Sequence, residues 1–445
     1  MREGMGERRL FRIGMRFLAR TEPELAARLL PLIPEYTRWD NLIYLMGETT
    51  LDAQIIEIVK SQLDADIKNM AANKPISLSA KWMPSINASS AEARERAKTL
   101  AAALNMTAKQ YRQTLSKLRS YLKVVEVDMS ARNWRNIDYA AVPSKANVLY
   151  KNAFLLHDVT RRTQFLEKLK QGKTKINADV LFPHDIINRY CVGKRWCNQP
   201  KEYDETLEQL WKALPDYVQG NDTTICVADG SGSMTATIGN TNITALNVAN
   251  ALSIYFAERC SGQFKDKFIT FSENPQLVDL SHCDNLHDKI GVALSYNEVA
   301  NTNIEAVFDL ILTTAVKYKM PQSELPSTVL ILSDMEFDRC AASNKGPLYD
   351  SETTPDPRLF DEIKAKYAKY GYKLPCLVFW NIASRTHTIP VTGNELGVAL
   401  VSGFSPISLT MALSGKLDPF EHMLKQINSP RYDKVEQAFN QSTAK

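Results

Sequence analysis

The sequence predicts two folded parts of different class, an all-α helical-repeat domain followed by a doubly wound, Rossmann-like α/β domain. Three observations predict it. The chain has 445 residues, which at roughly 100–200 residues per domain corresponds to two or three folded units. Near residue 220 the hydrophobic period changes, from apolar residues spaced three and four apart to short runs rich in β-branched and aromatic residues. The charge changes at the same place: residues 1–220 hold 35 Lys+Arg against 25 Asp+Glu, and residues 221–445 hold 19 against 25. Halves of opposite sign within a chain of net charge +4 point to two different tasks.

Composition narrows the class further. Hydrophobic residues at 44% and charged residues at 23% are ordinary globular values and exclude global disorder. No apolar run reaches 18 residues, and residues 1–30 lack the uninterrupted apolar core of a secretory signal. A soluble, cytoplasmic protein with no membrane partner is the expectation. The seven cysteines are odd in number and form no CxxC pair, which disfavours a disulfide framework or a zinc ribbon.

Taking the elements in order, residues 8–30 (RRLFRIGMRFLARTEPELAARLL) are Arg-rich and amphipathic, as a membrane-surface or transit helix would be. Glu3, Glu7, Glu22 and Glu24 and the helical continuation instead predict a first core helix. A helix from about Pro23, a break at Pro31 and Pro34 and a second helix from about Glu35 form a helix-turn-helix unit of the stacked, HEAT-like kind. No fixed-period repeat is found. Thr107 is a candidate N-cap for a helix that places Tyr111, Leu115, Leu118 and Leu122 on one stripe. After 220, strands are predicted at 223–228, 267–271, 328–332, 376–380 and 398–401, with helices at about 242–260, 303–319, 358–370 and 405–414. Short strands, apolar on both faces and alternating with helices, predict a parallel sheet between helical layers. The domains are therefore placed at 1–218 and 222–415, with 416–445 a helical tail.

The first predicted strand runs into Asp229-Gly230-Ser231-Gly232-Ser233. Ligands of an open α/β sheet bind outside the carboxyl ends of its strands, where this loop lies. Two further loops reach the same edge: one carries Thr302 and opens a helix, and the other carries Asp334 after the 328–332 strand. Asp229, Ser231, Ser233, Thr302 and Asp334 supply oxygen donors only, two carboxylates and three hydroxyls. Such a set suits Mg²⁺, or another hard cation such as Mn²⁺ or Ca²⁺. Neutral hydroxyls leave the ion electrophilic, so an acidic protein ligand could complete its coordination.

In this order on this scaffold, the three loops resemble the metal-ion-dependent adhesion site (MIDAS) of a von Willebrand factor A (vWA) domain, and the resemblance assigns the same five residues as ligands. One departure is SDMEFD at 333–338, where many such domains have Gly after the Asp; Glu336 or Asp338 could alter the charge there. The stretches KWMPS (81–85), NWRNIDYAAVPSKA (133–146), FSENP (271–275), SDMEFD, VFWNI (378–382) and VSGFS (401–405) are similar to a little-characterised family of plants, fungi, bacteria and large viruses. Its members pair an N-terminal helical domain with a C-terminal A domain, an architecture that resembles TROVE and Ro60 proteins. The similarity spans roughly residues 20–410.

Residues 105–200 hold 18 Lys+Arg against 7 Asp+Glu, interleaved with aromatics. Arg132, Arg135, Arg161, Arg162, Lys168, Lys170, Lys173, Lys175, Lys194 and Arg195 are the candidate RNA-binding residues, since cations neutralise phosphates while aromatic rings stack unpaired bases. The Ro60-like resemblance implies a clamp for structured RNA or single-stranded ends. Trp134 and Tyr139 are read as packing residues.

Catalytic machinery is not visible. There is no P-loop, no GxGxxG after a strand and no HExxH, and no second Asp two residues after Asp229 for phosphotransfer. His282, Cys283, Asp284 and His287 form a short cluster that reads as a polar loop rather than a metal site. The expectation is a non-catalytic, Ro60-like RNA-binding protein whose A domain holds Mg²⁺ and recruits a partner. A metal-dependent protein-interaction scaffold without RNA is the alternative, and a metal-dependent hydrolase the third reading.

Overall fold

The computed structural model describes residues 8–440 apart from 48–49, 192–198, 219–222, 240, 298–302, 335–356, 384–397 and 404–418. The chain divides into two compact units, Met1–Ile137 with Pro419–Lys445, and Asp138–Asp418.

The first unit is helical. Thr107 caps the helix Ala108–Tyr121 through a reciprocal pair: its Oγ1 accepts from the Gln110 N–H at 3.3 Å, and Gln110 Oε1 accepts from the Thr107 N–H at 2.9 Å. Tyr111, Leu115 and Leu118 are buried as the stripe requires. The helix Pro23–Leu29 starts at its proline, where no N–H is needed. Beyond the prolines the outcome differs from the single helix expected from about Glu35. Ile33–Tyr36 is one turn, closed by Thr37, whose Oγ1 and N–H both donate to the Ile33 carbonyl, and the next helix is Trp39–Ile43. The first helix, Arg8–Thr21, belongs to the core on one face only: Met15 and Ala19 are buried, whereas Leu10, Ile13 and Phe17 are exposed. No described helix is long and apolar enough to cross a membrane.

The terminal helices Pro419–Ile427 and Asp433–Asn440 belong to this unit. Arg28 Nε donates to the Ala438 carbonyl at 2.9 Å, Lys434 pairs with Glu35 at 2.7 Å, and the rings of Tyr36 and Tyr432 stack at 5.5 Å. Their docking could not be assigned from sequence because it joins residues some 400 positions apart.

The second unit is built on a six-stranded sheet of order β3-β2-β1-β4-β5-β6. The strands are β1 (Thr224–Asp229), β2 (Lys267–Phe271), β3 (Leu277–Asp279), β4 (Thr328–Ser333), β5 (Cys376–Asn381) and β6 (Val398–Ser402). All neighbours are parallel except β2 and β3. The five expected strands are present. β3, which sequence reading missed, is a three-residue edge strand turned back on β2 by the FSENP stretch, where Thr270 Oγ1 accepts from the Gln276 N–H at 2.9 Å. Every residue of β1 is buried, as a central strand covered on both faces demands.

Helices Ala245–Arg259, Ile304–Lys317 and Pro357–Lys369 fall where predicted, and Leu286–Ser295 is additional. The helix expected at 405–414 lies outside the described residues. Residues 245–257 are buried without a break, so their helix needs cover on the side away from the sheet. Helices Pro183–Tyr190 and Glu205–Lys212 provide it. Asn247 Nδ2 donates to Asn188 Oδ1 at 2.9 Å, and Trp211 Nε1 donates to Glu258 Oε2 at 2.7 Å. Buried Glu208 accepts from the Leu286 N–H at 2.9 Å. Residues 138–218 thus pack as one body with the sheet, although the periodicity breaks near 220.

Candidate functional site

The central pair of strands sets the geometry of the edge. β1 and β4 run parallel, with Ala228 opposite Leu332, which carries Asp229 and Asp334 out of the same end of the sheet. Each carboxylate residue is 1% exposed. Ser333 Oγ donates to Asp229 Oδ2 at 2.6 Å, and the Ser231 N–H donates to Asp229 Oδ1 at 2.9 Å. Gly232–Thr235 forms a 3₁₀ turn that brings Ser231 Oγ and Ser233 Oγ to 3.0 Å from one another, both half-buried.

Electrostatics at this edge oppose ionisation in the absence of a cation. Burial pushes the Asp229 carboxyl up to about 6; the Ser333 and Ser231 hydrogen bonds act against that rise and the neighbouring Asp334 charge adds to it. An ionised Asp229 in so dry a place is stabilised by positive charge nearby. The donor set fits a hard divalent ion. It offers oxygens alone, and its two hydroxyls are 3.0 Å apart, as adjacent corners of an octahedron with ~2.1 Å bonds are.

Four of the five predicted ligands are described, and they come from two adjacent strand ends: Asp229, Ser231 and Ser233 from one, Asp334 from the other. Thr302 lies outside the described residues, as do Glu336 and Asp338. The residue after Thr302, Asn303, caps Ile304–Lys317 by accepting from the Ala306 N–H at 3.0 Å. Sequence reading missed Ser333. Its signal was a hydroxyl ending the apolar run TVLIL, one residue before an acid. Among the described residues no group of three His, Cys, Asp or Glu side chains gathers to hold a metal ion. His287 Nδ1 lies 3.1 Å from Asp288 Oδ1.

The predicted basic residues divide between the units. Arg132 and Arg135 are exposed in the first. In the second, Lys168, Lys170, Lys173 and Lys175 are exposed at the end of the helix Val159–Lys170 and in the segment after it. Lys170 pairs with Glu205 at 2.9 Å, and Arg161 with Asp158 at 2.9 Å. Lys194 and Arg195 lie outside the described residues.

Arg162 is corrected. It is wholly buried, with its guanidinium 5.0 to 5.4 Å from the ring centres of Tyr139, Phe165 and Phe154. Its Nη1 donates to Asn147 Oδ1 at 3.2 Å, and burial lowers its pKa to about 10. A basic pair at 161–162 on a helix cannot face one way, and the second member turns into the aromatic core. Tyr139 is a packing residue as read, buried and donating to Asp158 Oδ2 at 3.0 Å.

Comparison with known proteins divides the chain near residue 223, where the hydrophobic period changes, and not at the boundary of the two compact units. Residues 87–223 match the family described as domain of unknown function DUF2828, and residues 223–444 match domain of unknown function DUF7788. The chain is 32% identical over 402 residues to uncharacterized protein L728 of Acanthamoeba polyphaga mimivirus, a match covering 85% of this chain and 65% of the viral protein. The chain is thus similar, in two adjoining segments, to two domain families of unknown function.

Proposed function

We propose that the α/β part is a von Willebrand factor A-like domain whose Asp229, Ser231, Ser233, Thr302 and Asp334 hold Mg²⁺. The observation that carries this reading is the pair of buried carboxylates at the ends of β1 and β4, with two hydroxyls 3.0 Å apart in the loop that follows β1. When bound, the ion supplies an electrophilic position that an acidic group of a protein partner can take. Asp229 and Asp334 neutralise the ion, and the serine hydroxyls hold it without spending its charge. In this reading the protein is cytoplasmic and non-catalytic.

The helical part binds RNA through charge and shape, as TROVE and Ro60 proteins do. Exposed Arg132, Arg135, Lys168, Lys173 and Lys175 support this, for none has an acidic partner among the described residues. A scaffold without RNA is the second reading, favoured by the ion pairs that already occupy Arg161 and Lys170. Two measurements test the proposal. In the first, Mg²⁺ raises the melting temperature of the wild type but not of Asp229→Ala. In the second, a hairpin RNA with a single-stranded tail is titrated against nuclease-treated protein at two salt concentrations. Submicromolar affinity that falls steeply with salt supports RNA binding, and its absence at low salt leaves the scaffold.

A further inference from the structure

The KWMPS stretch takes no part in the metal site, yet it forms one wall of a cleft of about 810 Å³ inside the first unit. That volume lies within the ~300–1,000 Å³ range of small-molecule sites. Arg119 holds the stretch in place. Its Nε donates to the Ala80 carbonyl at 2.8 Å, Nη2 to the Met83 carbonyl at 2.8 Å and Nη1 to Ser85 Oγ at 2.9 Å, and Tyr111 OH donates to the Pro84 carbonyl at 2.9 Å.

All of these acceptors are neutral. Arg119 has five N–H donors and uses three, so two remain for a ligand, and no carboxylate pairs with it among the described residues. Burial holds its pKa below the ordinary arginine value. Lys81 and Arg112 also line the cleft without an acidic partner among the described residues, against the single carboxylate of Glu126. Exposed Arg132 follows closely on Ser130, another lining residue. Between the cations the lining is apolar, with half-buried Ile86 and Val127 over buried Met83, Tyr111 and Leu115. Cations beside an apolar floor match the two faces of a nucleotide, an anionic phosphate and a stacking base.

We infer that this cleft binds a nucleoside phosphate unit, with the phosphate held by Arg119, Lys81 and Arg112 and the base laid on the apolar floor. The inference deepens the RNA-binding reading and rests on it for the source of the nucleotide, a single-stranded RNA segment rather than a free mononucleotide.

The test uses the full chain with two probes, fluorescein-labelled decauridylate followed by anisotropy and uridine monophosphate followed by calorimetry. The Arg112 and Lys81 side chains make none of the hydrogen bonds by which Arg119 holds the KWMPS stretch, so Arg112→Glu and Lys81→Glu are expected to melt with the wild type. Each is expected to weaken decauridylate binding at least tenfold, while Lys173→Glu, outside the cleft, changes it less. Wild-type affinity in both cleft variants overturns the inference and leaves RNA binding by the rest of the surface standing. Binding of the tailed hairpin without decauridylate binding does the same. Uridine monophosphate binding that depends on Arg112, with no binding of either RNA, keeps the cleft and removes the RNA reading. No binding of any probe overturns both.

Discussion

Ser333 Oγ donates a 2.6 Å hydrogen bond to Asp229 Oδ2 across the two central strands, and both residues are sealed from solvent. The bond favours the ionised carboxylate that a divalent cation needs. Ser333→Ala is therefore expected to lower stability at pH 7 by about 1.5–3 kcal/mol, the ordinary worth of a hydrogen bond to a charged group. It should also weaken the proposed Mg²⁺ binding without removing any of the proposed ligands. Urea unfolding in chelator and Mg²⁺ titration of the melting temperature measure the two effects separately, and an unchanged Mg²⁺ response would detach Ser333 from the metal site.

The pH dependence of the metal-free protein follows from the same carboxylate. Its pKa is raised to about 6 in the folded chain against an ordinary 3.8, so the native state binds the proton more tightly than the unfolded state does. The stabilisation is full below pH 3.8 and is lost as pH rises through 6, a difference on the order of 3 kcal/mol. Subtracting the profile of Asp229→Asn isolates this contribution from that of other groups. If the proposed site holds Mg²⁺, millimolar Mg²⁺ restores the lost stability above pH 6, because the ion would bind only the folded, ionised site. A difference profile that stays flat between pH 4 and pH 7 would show that Asp229 ionises as freely as in solvent.

Much of the α/β unit was legible because its signals are local. A fully buried parallel strand must be an apolar run, and a loop after it that carries oxygen side chains advertises the carboxyl edge of a sheet. Asp229, Ser231 and Ser233 could be found that way, and Asp334 from its own strand. Arg162 could not, since a basic residue beside Arg161 gives no local sign that three aromatic rings from 139, 154 and 165 will enclose it. The terminal helices and the packing of 138–218 on the sheet were hidden for a related reason: long-range burial, not periodicity, decides which unit a helix joins. Arg119 likewise reads as one more cation on a helix until its guanidinium is seen gathering the Ala80 and Met83 carbonyls and the Ser85 hydroxyl.

Arg162 and the pair Lys173 and Lys175 should behave oppositely when changed. Arg162→Ala removes a buried side chain and leaves Asn147 Oδ1 without its donor, so a loss of about 3 kcal/mol or more in unfolding free energy is expected, with little change in the RNA affinity of the folded protein. Lys173→Glu with Lys175→Glu touches exposed residues and should move stability by only about 0.5 kcal/mol. If these lysines meet phosphates, the slope of log affinity against log salt falls by about one for each phosphate no longer neutralised. An unaltered slope would take residues 173–175 out of the RNA surface.

Trp380 links the VFWNI and VSGFS stretches. Its ring is completely buried, and its indole N–H donates to the Gly403 carbonyl, while the Gly403 N–H donates to the Asn381 carbonyl at 2.9 Å. Gly403 has φ +99°, a conformation that a side chain resists. Gly403→Ala is expected to cost about 1–2 kcal/mol through backbone strain. Trp380→Phe keeps an aromatic ring but leaves a carbonyl without its donor, at about 1–3 kcal/mol. Because each change disturbs the same bond, the double variant should lose less than the two single losses together. Chemical denaturation of the four proteins measures that coupling. Strict additivity would mean that the backbone strain introduced at Gly403 does not act through the indole bond.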